Sequence, residues 1–246
     1  MSVPMLELAG VTKRYGARAV LDGIDLVVGT GEALGLVGVN GAGKTTLIRG
    51  LLDLNRIDGG RIVIAGRGHT ETGARAALSY LAERFNPPRF ATGAEFLRHA
   101  LALHGARFDA GAAADEAARL DLDPAALCRP VREYSKGMAQ KLGLVAAILP
   151  RTPLLVLDEP MSGLDPKARA LVKRRLGELH AAGATLFFST HLLADVEALC
   201  ERIALLHGGR IVFSGPPGEL LARHGCATLE AAFLAAIDAP VSATTA

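Results

Sequence analysis

The sequence predicts an α/β fold with a mainly parallel sheet, an antiparallel β margin and an inserted helical lobe. Three observations carry this expectation: short apolar runs that recur with helical patterns between them, glycine pairs in the series, and a long alanine-rich stretch without strand-like patterning. Runs such as Leu154 to Leu157, apolar at every position, suit strands buried on both faces. Their alternation with helices points to a parallel sheet. At 246 residues the chain is within reach of a single core.

In chain order, the strand-like runs are Leu6 to Val11, Ala33 to Val37, Arg61 to Ile64, Leu78 to Leu81, Leu154 to Leu157, Thr185 to Ser189, Ile203 to Leu206 and Arg210 to Phe213. Gly59-Gly60 and Gly208-Gly209 read as hairpin turns that add antiparallel strands. Between about Phe85 and Pro150 the helical stretches Ala94 to His104 and Ala112 to Leu120 replace strands. Asn86-Pro87-Pro88 makes a stiff entrance to this lobe, and Pro150 and Pro153 bracket its exit. The chain, 1–246, thus reads as one unit with a core at about 1–84 and 151–215, a lobe at 85–150 and a tail at 216–246. In the tail, GELLARHG and TLEAAFLAAI read as short amphipathic helices and VSATTA as a disordered end.

Apolar residues make up 50% of the chain, yet the longest apolar stretches fall well short of the ~18 residues a membrane-spanning helix needs. MSVPMLELAG has neither a basic nor an apolar leader region, so a cytoplasmic location is expected. Cys128, Cys200 and Cys226 are odd in number and far apart, as free thiols in a reducing compartment would be. The net charge of +2 is dispersed, which argues against nucleic acid as a partner. The densest basic run, KRRL at Lys173 to Leu176, reads as a solvated helix face.

The chemistry begins at Gly38. GVNGAGKT, made of Gly38, Val39, Asn40, Gly41, Ala42, Gly43, Lys44 and Thr45 and followed by Thr46, matches G-x-x-x-x-G-K-[ST]. It stands after an apolar strand and before a helix expected to run to about Leu54. Glycines let backbone N–H groups curl around a phosphate at a helix N-terminus, Lys44 can bridge phosphate oxygens, and the Thr45 hydroxyl can bind Mg²⁺. LLVLDEP ends an apolar strand in two carboxylates. Asp158 is placed to hold Mg²⁺ through water, and Glu159 to polarise an attacking water. YSKGMAQKL reads as a helix start with Ser135 as N-cap and Gly137 and Met138 in the first turn, a second anion-binding helix terminus.

The order and spacing of GVNGAGKTT, YSKGMAQKL, LLVLDEP, MSGLDP and STH resemble the ATP-binding cassette (ABC) proteins from Leu6 to about Phe213. The resemblance implies a P-loop NTPase core, ATP and Mg²⁺ as ligands, and an ATPase that pairs head to tail with a second cassette, as a homodimer or with a paralogue, so that each completes the other's site. Tyr15 resembles the aromatic that stacks on adenine, Ser135 and Gly137 the segment that meets the partner's γ-phosphate, and Asp165 a residue of the dimer seam. His191 resembles the histidine beside the base Glu159. The family further implies an integral membrane permease, contacted by the lobe from about Phe85 to Ala110, and a peripheral place on the inner face of the membrane.

YSKGM and the short ending TLEAAFL resemble single-domain cassettes of bacterial exporters. Rivals are a soluble cassette acting on ribosomes or nucleic acid, and a phosphate-loop kinase or switch outside the family. Four residues at three sites depart from the usual pattern: Val39 replaces a frequent proline, Lys136 and Met138 replace glycine and glutamine, and Glu83 stands where a glutamine usually links Mg²⁺ to the lobe. Glu83 is either a carboxylate metal ligand or an exposed loop residue.

Overall fold

The computed structural model describes residues 3–238, so the VSATTA end lies outside the described residues. Strand β1 (Leu6–Tyr15) pairs antiparallel with β2 (Arg18–Val28). The second sheet starts with β3 (Ala33–Val37), while β4 (Gly59–Ile64) returns to the other side of β1 and β5 (Arg67–Gly68) completes a four-stranded sheet in the order β2-β1-β4-β5. The later strands are β6 (Leu78–Leu81), β7 (Leu154–Asp158), β8 (Thr185–Thr190), β9 (Arg202–His207) and β10 (Arg210–Gly215). With β3 they form a six-stranded sheet, β10-β9-β3-β8-β7-β6, parallel except for the edge strand β10. The antiparallel margin is therefore a sheet of its own plus one edge strand.

Successive side chains of a strand face opposite ways, and here both faces are covered. Leu34, Val156 and Phe187 face a core shared with Leu6, Ile24 and Ile62 of the four-stranded sheet. Leu157 and Phe188, one residue on, face a second core built with the helices. This is why the parallel strands read as unbroken apolar runs.

The helices are α1 (Lys44–Leu51), α2 (Thr72–Arg75), α3 (Gly93–Leu103), α4 (Ala110–Arg119), α5 (Lys136–Ile148), α6 (Pro166–Ala181), α7 (Leu193–Leu199), α8 (Pro217–His224) and α9 (Leu229–Asp238). Helices α3 to α5 lie in the chain between β6 and β7. Thr92 and Glu95 close a capping box at the start of α3. Leu97, Ala117 and Leu144 from these helices share one core with Leu81 and Leu157 of the sheet, so the lobe is welded to it by apolar packing. Helices α8 and α9 bury Leu220, Leu229 and Ala232 against the same core. No single helix among the described residues is long and apolar enough to cross a membrane. Cys128 is exposed, and Cys200 and Cys226 are partly buried; all three are free thiols.

Four sequence expectations need correction. Strand β2 went unrecognised because Gly23, at φ 70°, interrupts the alternation of Leu21 with Ile24, Leu26 and Val28, and the pairing register with β1 shifts there. Gly59-Gly60 is no hairpin turn: it opens β4, and a Cβ on Gly60 would fall 2.3 Å from the Gly10 carbonyl oxygen of β1. Only glycine allows that approach at a bulge. Helix α1 stops at Leu51 rather than Leu54, because Asp53 turns left-handed at φ 57°. KRRL is not uniformly solvated either. Lys173 reaches Asp195, and Arg175 holds the buried Glu116 of α4 by two contacts of 2.8 Å. A carboxylate taken out of water needs such a partner.

Candidate functional site

The parallel sheet sends the C-terminal ends of β3, β6, β7 and β8 to one edge, where open α/β sheets bind ligands. The phosphate loop follows β3, Glu83 follows β6, Asp158 and Glu159 end β7, and His191 follows β8. Together they surround a cleft of about 370 Å³ lined by Asn40, Gly41, Gly43, Lys44, Thr45, Thr46, Glu83, Glu159 and His191, with Val20 and Ser162 at its walls.

Gly43 makes the loop possible. It adopts φ 112° as the residue before α1, and a Cβ there would stand 2.9 Å from the Val20 carbonyl oxygen. No side chain caps α1 and no acid lies in its first turn, so its first N–H groups face the cleft with the positive end of the helix dipole. Lys44 is buried, and its ammonium donates to the Gly38 carbonyl at 2.7 Å while standing 3.7 Å from Glu159 Oε1. Gly38, Val39 and Ala42 complete the loop, with the Ala42 N–H donating to Val39 O at 3.1 Å.

Asp158 is fully buried. Its Oδ1 accepts from the Ser189 hydroxyl at 2.5 Å, whereas its Oδ2 has no hydrogen-bond partner. Burial pushes its carboxyl above the usual carboxylate range, the hydroxyls of Ser189 and Thr45 oppose that rise, and the Glu83 charge adds to it. Burial first, then the Asp158 charge, push the neighbouring Tyr80 up to about 12. A buried acceptor without a donor, with the Thr45 hydroxyl beside it and a carboxylate on the rim, fits a hard divalent cation that keeps waters and phosphate oxygens as its other ligands.

Glu159 sits at φ 49°, a left-handed conformation that costs a non-glycine residue about 1–3 kcal/mol. Two contacts from β8 hold it there: its N–H lies 3.2 Å from Ser189 O and 3.0 Å from Ser189 Oγ. The turn directs the carboxylate back over the cleft, where Oε2 lies 2.9 Å from His191 Nδ1. An ionised carboxylate only accepts, so the Nδ1 of His191 carries the hydrogen in this pair.

The remaining sequence candidates lie elsewhere. Tyr15, half exposed at the end of β1, accepts from Asn55 Nδ2 at 3.0 Å and is not among the residues lining the cleft. Ser135 caps α5 by accepting from the Met138 N–H at 3.2 Å, and Ser135 is exposed. Asp165 caps α6 in the same manner at 2.9 Å from Ala168 N and is exposed too. The two caps belong to one surface, since a Cβ on Gly137 would meet the Gly163 carbonyl oxygen at 3.9 Å. From α5, Gln140 donates to the Pro160 carbonyl at 3.0 Å, directly behind Glu159.

Sequence reasoning missed Ser189, Gln140, Val20 and Ser162. Ser189 stands in the STH motif whose histidine was singled out, and its position at the end of a buried strand was the available signal. Val20 belongs to the unrecognised strand β2 and carried none.

The ABC transporter family pattern matches residues 21–162. The chain is 39% identical over 208 residues to an uncharacterized ABC transporter ATP-binding protein of Nostoc sp., covering 82% of this chain and 61% of that protein. It is 37% identical over 240 residues to the Nod factor export ATP-binding protein I of Rhizobium sp., covering 94% of this chain and 77% of that one. A solved structure of an ATP binding subunit of an ABC transporter superposes with a TM-score of 0.86 at 31% identity, over 94% of this chain and 99% of that one. The chain thus spans less than two thirds of the Nostoc relative and about three quarters of the Rhizobium one.

Proposed function

The chain belongs to the ABC transporter family as an ATP-binding subunit, in a family whose members are ATPases, and from that premise we propose that it hydrolyses ATP with Mg²⁺ to drive a separate membrane permease, in the direction of export. One observation carries the catalytic part: Glu159, held in a strained turn, meets both Lys44 and His191 inside the cleft.

In this reading the phosphate loop and the start of α1 receive the phosphates, and Lys44 exchanges its hold on Gly38 for phosphate oxygens. Thr45 and Asp158 hold Mg²⁺, with Glu83 on the rim; the ion, when bound, neutralises charge on the phosphate oxygens. Glu159 accepts a proton from the attacking water, and the hydrogen on His191 Nδ1 keeps that carboxylate pointed into the cleft. Tyr15 stacks on the base from the edge of the cleft. Ser135, Gly137, Met138 and Asp165 form the face that a second copy of the chain covers, which supplies its own phosphates to the exposed start of α5. The part of the lobe from about Phe85 to Ala110 meets the permease at the cytoplasmic face of the membrane.

The export direction is supported by the Rhizobium relative, whose name is that of an export protein. The test is affinity purification of the full chain from solubilised membranes of its own cells. The reading expects an integral membrane protein at near-equal stoichiometry; recovery with ribosomal particles instead overturns it in favour of a soluble cassette.

A further inference from the structure

The histidine at position 191 is poorly anchored by its own surroundings. It occupies a two-residue link between the end of β8 and the start of α7, and its side chain is 45% exposed. Helix α7 has only seven residues and no side-chain cap at its start, too short to be stable by itself. A void of about 150 Å³ lies beside the link, lined by Glu159, Ser162, Arg169, Thr190, His191 and Asp195 among others. Leu193 and Val196 anchor α7 in the core, but on the pocket side the imidazole itself has no packing to keep it in register with Glu159.

An ion pair lines this void. Asp195, in the first turn of α7, has its side chain only 3% exposed. Its Oδ2 lies 2.7 Å from Arg169 Nη2 and its Oδ1 3.5 Å from Lys173 Nζ. Arg169 and Lys173 are one turn apart on α6, so they grip the carboxylate from one helix face. A second restraint is local: the Leu192 N–H donates to Thr190 Oγ1 at 3.0 Å.

We propose that Asp195 is a positioning residue, which through Arg169 and Lys173 ties the His191 turn to the first turns of α6 and so sets the imidazole against Glu159. The inference rests on the reading of Glu159 and His191 as a working pair. It adds a mechanical link, because α6 is capped by Asp165, on the exposed face with Ser135. A movement of that face is transmitted along the first turns of α6, across the ion pair, to His191.

Arg169 and Lys173 are partly exposed, so without Asp195 their charges turn to water and no buried charge is stranded. Asp195→Asn is accordingly expected to fold. The test is a double-mutant cycle of Asp195→Asn and His191→Ala on the full chain, read by steady-state hydrolysis of MgATP and by amide hydrogen exchange of the nucleotide-free protein. Asp195→Asn alone should lower kcat by about 10- to 100-fold with KM nearly unchanged, on the scale of an ångström-sized misplacement. In the His191→Ala background it should add nothing. Exchange in residues 190–193 should rise in Asp195→Asn, and Asp195→Glu should restore part of kcat.

Additive losses in the cycle, or unchanged exchange at 190–193, overturn the inference. Exchange is independent of turnover, so wild-type protein that fails to hydrolyse ATP refutes the proposed function, while the exchange result still decides the link. If Asp195→Asn is insoluble, Arg169→Gln enters the same cycle with the same expectations.

Discussion

Two helix starts in this molecule are proposed to meet phosphate, and their surroundings are opposite. The start of α1 is uncapped, preceded by a glycine-rich loop, and lies in a cleft with Lys44, Glu159 and His191. The start of α5 carries its own serine cap, stands exposed, and has a second capped start, that of α6, for a neighbour. An uncapped helix start has N–H groups for a ligand and little else to satisfy them. A capped, exposed one is content by itself and gains from an anion that arrives from outside. In the proposed function the first is a site within one chain and the second is a half-site.

The largest expected effect tests whether the two halves meet. Glu159→Gln removes the proton acceptor and keeps the shape, so kcat should fall by roughly 10²- to 10⁴-fold, the range of a general base. ATP affinity should persist, and gel filtration in MgATP should show a dimer. A variant that stays monomeric with nucleotide bound breaks the comparison, because the start of α5 then has no partner site to complete.

A second substitution acts on the exposed start alone. Ser135→Asp keeps an equally good cap but sets a carboxylate where the partner's phosphate is expected. Like charges so placed are unfavourable across an interface, and hydrolysis should drop by about 10- to 100-fold at limiting protein concentration, about 1.4–2.7 kcal/mol. The melting temperature and the affinity of the monomer for ATP, measured by a fluorescent analogue, should not change. An equal loss of monomer affinity would mean that α5 serves its own chain's cleft.

Third in size is the buried carboxylate beneath the first site. The folded-state pKa of Asp158 is raised by burial, so its contribution to stability is fully present below the unfolded carboxyl value and is lost as pH rises through the raised one. The nucleotide-free protein should therefore lose stability relative to Asp158→Asn between acid and neutral pH, and the two should converge near and below the ordinary value of 3.8. At neutral pH the gain from replacing an incompletely satisfied buried carboxylate by a neutral amide is about 1–3 kcal/mol, each kcal/mol shifting the melting point by ~2–4 °C. Thermal scans across pH measure it. The variant should also lose the Mg²⁺ dependence of ATP binding, since it keeps the cleft and loses the charge.

The two starts differed in legibility for the same physical reason that they differ in structure. The α1 site is written in consecutive residues: a strand buried on both faces, a loop of glycines, Lys44 and Thr45. The α5 start is equally plain as a cap, but an exposed cap is common, and only the resemblance gave Ser135 a phosphate to meet. Strand β2 escaped because Gly23 and a bulge break its alternation, and Val20 of the cleft wall escaped with it. Ser189 was hidden in a motif read for its histidine; its double task, donating to Asp158 and accepting from Glu159, depends on the register of β7 against β8. Long-range ion pairs such as Glu116 with Arg175, 59 residues apart, leave no local pattern, which is why a basic run passed for a solvated face.

The smallest effect concerns the rim of the first site, where Glu83 stands. It lines the cleft yet is exposed, and its charge reaches Asp158 strongly enough to raise that carboxyl. An exposed charge acts through water and counterions, so its contribution is small, about 0.3–1 kcal/mol. Glu83→Gln should raise the Mg²⁺ concentration for half-maximal hydrolysis by roughly 2- to 5-fold and leave the saturated rate nearly intact. The shift should shrink as salt shortens the screening length. A shift that persists at high salt would make Glu83 a direct ligand of the ion rather than a nearby charge. No shift at either salt concentration would leave the metal to Thr45 and Asp158, and place the boundary of the α1 site inside the rim.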